Sequence, residues 1–121
     1  MPKGPGGKPY DLEERTFLFA QEVRTFVKRL PRAAGNVEDS RQLIRASGSV
    51  GANYIEANES LGRKDFLMKI RTCRKEAKES AYWLRLLDCG VSTELEADRV
   101  CLVAEARELM NIFAASLRKS Q

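Results

Sequence analysis

Histidine is absent from all 121 residues. That absence removes the Ser-His-Asp and Cys-His nucleophile machineries, the Glu-x-x-His ligand pairs of ferritin-like di-iron bundles and any Cys2His2 zinc site. Cysteine is sparse: Cys73, Cys89 and Cys101 stand too far apart for a zinc clip. An odd, widely spaced set reads as reduced thiols of a cytosolic protein. Cys73 falls on an apolar seam and is expected to be a small buried hydrophobe. Proline and glycine are few, four and eight, and four of these twelve fall in the first six residues. The remainder has too few turn formers for an all-β sandwich. No apolar run reaches the roughly eighteen residues of a membrane span. The first ten residues hold no apolar stretch, so no secretory signal is expected and the location is read as cytoplasmic.

What remains is a chain of single-domain length. It is 43% hydrophobic and 31% charged, a mix that fills a core and stays in solution. Residues 1–9 (MPKGPGGKP) read as a flexible tail. Residues 10–119 read as one all-α domain, an antiparallel up-down-up-down four-helix bundle.

Four amphipathic segments carry that prediction. The first spans about Asp11 to Leu30. Asp11 is its cap and Glu14 the capping-box partner. Leu12, Thr16, Phe19, Val23, Phe26 and Leu30 form the seam, and Pro31 the stop. Phe17 and Leu18 lie off the seam. The second spans about Val37 to Ser60, with Leu43, Ser47, Val50, Tyr54, Ala57 and Leu61 on one seam. Beside it runs a stripe of Ile44, Gly48, Gly51, Ile55 and Asn58. Glycine inside a helix costs about 1 kcal/mol against alanine, so Ser47–Ala52 (SGSVGA) is a candidate for close approach of another backbone; a kinked helix is the alternative. The third, from about Arg63 or Asp65 to Leu87, repeats Phe66, Ile70, Cys73, Ala77, Ser80, Leu84 and Leu87, with Gly90 as its stop. The fourth starts near Thr93 with Glu96 as a capping-box partner, and its seam is Leu95, Leu102, Ala106, Leu109, Phe113 and Leu117. Arg118 and Lys119 suit its C-terminal dipole.

Charge is concentrated on the third helix. The formal net charge is +4, weak evidence for nucleic acid by itself. From Arg63 to Arg85, however, eight basic residues face three acidic ones, a local balance of +5. At roughly 100° per residue, Lys64, Arg71, Arg74, Lys75, Lys78 and Arg85 gather on one flank beside the seam, with Tyr82 among them. Asp65, Glu76 and Glu79 gather on the other flank with Trp83. A basic stripe with an aromatic ring can track a phosphate backbone and stack a base. Alternatively, basic and acidic flanks of successive copies can meet head to tail and close a ring. The third reading is a solvated face with internal pairs such as Lys75–Glu79, and Tyr82-Trp83 as ordinary packing.

Several strings resemble one family. These are residues 10–16 (YDLEERT), Ser47–Glu59 (SGSVGANYIEANE), Lys64-Asp65-Phe66, and Arg74–Glu79 (RKEAKE) followed by Tyr82-Trp83-Leu84. Together they resemble the bacterial four-helix-bundle proteins encoded within intervening sequences of 23S ribosomal RNA genes, over about residues 10–90. The resemblance implies an antiparallel bundle assembled as a pentameric ring. It is similar in architecture to the accessory protein of diversity-generating retroelements, whose basic ring surface binds nucleic acid and its reverse transcriptase. It implies no catalytic activity.

The expected function is therefore a non-enzymatic homo-oligomer without metal or cofactor. It would bind RNA or DNA, or a nucleic-acid-processing protein, through Lys64, Arg71, Arg74, Lys75, Lys78, Arg85 and Tyr82. Gly48, Gly51, Ile55, Glu76 and Glu79 are the candidate subunit contacts. The alternative is a structural protein–protein ring with no nucleic-acid binding. Catalysis by Glu56, Glu59, Glu76 and Glu79 is disfavoured, because helix-surface carboxylates at three- or four-residue steps are usually solvated.

Overall fold

Asp11 opens the first helix by accepting a hydrogen bond from the Glu13 amide at 2.9 Å, which satisfies one of the orphan donors of the first turn. The computed structural model describes residues 11–120; the proposed tail, residues 1–9, and Tyr10 lie outside the described residues. Four helices follow: α1 (Leu12–Lys28), α2 (Asn36–Asn58), α3 (Arg63–Leu86) and α4 (Thr93–Ser120).

Each turns the seam written in its sequence inward, with Leu12, Leu30, Tyr54 and Phe66 only partly buried against the core. Phe19, Val23 and Phe26 of α1, Leu43 and Val50 of α2, Ile70, Cys73, Ala77 and Leu84 of α3, and Ala106, Leu109 and Phe113 of α4 share one core. Buried Ser47 and Ser80 bond their own helix carbonyls, at Ile44 and Glu76, so no hydroxyl is stranded there. Helix α1 packs on α2 and α4, and α3 on α2 and α4. Pairings across the seams fix the directions. Lys69 bonds Glu56, Cys73 bonds the Val50 carbonyl and Asp88 bonds Asn36, so numbers rise along α3 as they fall along α2. Arg15 meets Glu105 and Arg29 meets Glu94 and Asp98, which makes α1 and α4 antiparallel as well.

Three local expectations are corrected. Leu61, placed on the α2 seam, is fully exposed, because the helix ends at Asn58 and Leu61 falls in the connection to α3. Helix α3 ends before Gly90. Leu87 turns extended and buries its side chain, while Arg99 donates to the Leu84 and Leu87 carbonyls that the helix end leaves open. Gly90, at φ 65°, serves the turn after that. The cap of α4 is Ser92, whose hydroxyl accepts from the Leu95 amide at 3.1 Å; Glu96 spends its carboxylate on Arg99 instead. Asn36 ties the two connections at this end of the bundle together. Its amide donates to the Pro31 and Asp88 carbonyls and accepts from the Asp88 amide.

Candidate nucleic-acid interface

The cations of α3 stand away from the core because the seven-residue apolar repeat leaves them no inward phase. Lys64, Arg71, Arg74, Lys75, Lys78 and Arg85 are all exposed. None of the six enters an ion pair among the described residues; the bonded cations are Arg15, Arg29, Arg41, Arg45, Lys69 and Arg99. The Lys75–Glu79 pair of the solvated-face reading does not form. Tyr82 shares the outer face at 54% exposure, its ring edge-on to the half-buried Trp83 at 5.1 Å. Leu86, four residues beyond the tyrosine, and Met68, nearly four turns before it, are also exposed. The structure thus gathers all seven sequence-predicted residues on one helix surface, with apolar side chains among the charges.

The acidic flank is different. Asp65 is exposed and Glu79 half-buried, but Glu76 is buried inside its own subunit at 7% exposure. Its nearest cation is Arg45 of α2, at 4.0 Å, and its Oε1 accepts no hydrogen bond. Burial, then the charge of Glu79, raises the Glu76 pKa against the opposing pull of Arg45 and Lys75. A carboxylate in this position cannot present an outward acidic edge.

Gly48, Gly51 and Ile55 come together, with residues of α1, around a groove of about 440 Å³. Phe17, which the sequence left off the α1 seam, lines the opposite wall. Gly51 is used within the subunit. A Cβ there would lie 2.9 Å from the Thr16 Oγ1. At Gly48 only the end of the Arg24 side chain comes close, at 3.3 Å. Phe17 and Ile55 are each about half exposed.

Of the four carboxylates weighed for catalysis, Glu56 pairs with Lys69, Glu59 is exposed, and Glu76 and Glu79, three residues apart on α3, are near enough for the charge of Glu79 to act on Glu76. Among the described residues no cluster of His, Cys, Asp or Glu is grouped to hold a metal ion, and no helix is long and apolar enough to cross a membrane.

Two features were missed in the sequence. Arg15, one of the least exposed cations, grips Glu105 with two bonds of 2.8 Å and reaches Glu108 at 3.0 Å, clamping α1 to α4. Arg107 of α4 shares a cleft with Arg85. Its signal was the step from Val100 and Val103 to Arg107, which sets it on the α3-facing flank of α4.

Comparison with known proteins adds to this geometry. A family model described as 23S rRNA-intervening sequence protein matches residues 9–114. A crystal structure of a protein with unknown function, from the S23 ribosomal protein family of Bacteroides thetaiotaomicron VPI-5482, superposes with a TM-score of 0.73. The two chains are 25% identical, and the match covers 88% of this chain and 98% of that one. No curated protein matches the sequence.

Proposed function

We propose, for a chain that belongs to the 23S rRNA-intervening sequence protein family, a non-enzymatic role: a self-associating four-helix bundle that binds RNA through the outer face of α3. The observation that carries this reading is the state of the six cations. All are exposed, and among the described residues none forms an ion pair. Unpaired lysines and arginines in a row release counterions when they meet phosphates, which is the main source of sequence-independent affinity. Tyr82 supplies a π face for an unpaired base.

Binding of a short fluorescent oligouridine, followed by anisotropy across about 50–200 mM salt, tests it. Three or four phosphate contacts per subunit give a log–log slope of roughly −2 to −3 for a single strand. A flat affinity, or no binding at low salt, refutes it.

The α1–α2 groove favours a second reading, a protein-interaction ring without nucleic acid. Phe17 and Ile55 present apolar surface that a second copy would cover, and a pentamer is the closed form the family resemblance implies. Lys78→Glu separates the two. On the first reading RNA binding weakens and the light-scattering mass is unchanged. On the second there is no RNA binding to weaken, and the mass falls instead in Ile55→Glu, which puts a charge into the apolar groove.

A further inference from the structure

Helices α3 and α4 leave between them an open cleft of about 400 Å³. Three guanidinium groups line it, from Arg85, Arg99 and Arg107, against one carboxylate, Glu96. Arg99 is already committed. Its side chain pairs with Glu96 and donates to the Leu84 and Leu87 carbonyls. That arrangement also consumes Glu96. Arg85 and Arg107 are exposed and have no acidic partner among the described residues. The floor between them is apolar: Val100 and Ala104 are exposed and Val103 is buried.

Two guanidiniums without an acidic partner, in one cleft with exposed apolar side chains, suit an anion. Low-dielectric walls focus positive potential into such a cleft. A guanidinium fork matches two phosphate oxygens. Val100 and Ala104 offer a nonpolar surface beside that fork. Arg85 also ends the α3 row, which runs roughly 20 Å from Arg71. A strand following the row is led into the cleft.

We propose that this cleft holds one phosphate of single-stranded RNA between Arg85 and Arg107, with the attached nucleoside resting on Val100 and Ala104. The proposal rests on the RNA-binding reading and adds α4 to it. The cleft, rather than the α3 row alone, sets where a strand is anchored.

The test uses the full chain and the same fluorescent oligouridine, with Arg85→Gln, Arg107→Gln, the double variant, and Lys28→Gln as an exposed cation of α1 outside the cleft. Circular dichroism checks that each variant folds. Arg107→Gln is expected to weaken binding about tenfold, the value of a charge-assisted hydrogen bond, and to reduce the salt slope by about one. Lys28→Gln is expected to change affinity less than about twofold, because a cation that contacts no phosphate releases no counterion. Because both arginines grip one phosphate, the double variant should lose far less than the product of the two single losses. Competition by uridine monophosphate, weaker in Arg107→Gln than in wild type, places the phosphate–nucleoside unit in the cleft; competition by inorganic phosphate alone to the same extent overturns the nucleoside contact. If wild type binds and Arg107→Gln binds equally, or the two losses simply multiply, the cleft proposal fails and the α3 row stands. If wild type does not bind, both fall.

Discussion

Two glycines three residues apart in α2 should respond to alanine with opposite signs. Alanine in a helix interior is favoured over glycine by about 1 kcal/mol, because glycine loses more backbone entropy on folding. At Gly48 the added methyl would meet only the Arg24 guanidinium at 3.3 Å, the end of a flexible, exposed side chain held by one exposed hydrogen bond to the Ala20 carbonyl. Arg24 can swing away, so Gly48→Ala should stabilise by about 1 kcal/mol. At Gly51 the methyl would lie 2.9 Å from Thr16 Oγ1 and 3.3 Å from Thr16 Cβ. Thr16 cannot yield. It is 1% exposed, branched at Cβ, and its hydroxyl is held at 2.7 Å from the Leu12 carbonyl and 3.1 Å from that of Glu13. Overpacking of this kind costs about 1–3 kcal/mol, which cancels or exceeds the helix gain and leaves Gly51→Ala neutral to about 2 kcal/mol destabilised. For a chain of this length 1 kcal/mol moves Tm by about 4 °C. Thermal and urea unfolding at one fixed protein concentration should therefore show Gly48→Ala above wild type and Gly51→Ala at or below it. Thr16→Ala should relieve part of the Gly51→Ala cost, since it removes the nearest atom. Both glycine variants rising together would refute the assignment of Gly51 to a close intra-subunit contact.

Other consequences follow from the buried charges and thiols. Glu76 has a raised pKa in the folded state, so the folded protein holds this proton more tightly than the unfolded chain. Its contribution to stability therefore falls as pH rises from the ordinary carboxylate value through the folded one; in Glu76→Gln that part of the pH dependence should vanish, and an unchanged profile counts against the buried, half-bonded carboxylate. Arg15→Met should destabilise by about 3 kcal/mol in urea unfolding, the low end for breaking a buried pair, because it removes the two 2.8 Å bonds to Glu105 and the contact with Glu108; a loss under about 1 kcal/mol counts against the clamp. Burial pushes the Cys73 thiol up to about 12 and also raises Cys89, whereas Cys101 is exposed. A disulfide reagent should accordingly titrate one fast thiol in the native protein and three on unfolding.

The bundle was legible because the seam residues repeat at four- and three-residue steps with few breaks, and that pattern has one economical burial. Phe19, Val23, Leu43, Ile70, Leu84 and Phe113 could be placed inside from spacing alone. Helix ends were read less well. Ser92 and Thr93 both carry a capping hydroxyl, and only the path of the connection decides which one reaches the Leu95 amide. The basic residues of α3 could be grouped from the sequence, since helical phase fixes one face. The fate of their acidic neighbours could not. Glu76 lies between the exposed and buried arcs of α3, and the position of α2 places it inside. Likewise, whether the glycine stripe meets its own bundle or another copy depends on the α1–α2 distance, which residue order does not encode; Thr16 supplies the answer for Gly51. Arg107 escaped notice because its significance comes from Arg85, 22 positions away on another helix.

The central claim is that the outward cations of α3 are left unpaired in order to meet phosphates. Light scattering of the full chain with and without single-stranded RNA at low salt tests it most directly. The account expects a multimer whose mass increases by the bound strand, and loss of that increment when Arg71, Arg74, Lys75 and Lys78 are changed together to glutamine with the protein mass unaltered. A mass indifferent to RNA, or a gain that survives removal of those four charges, would contradict it.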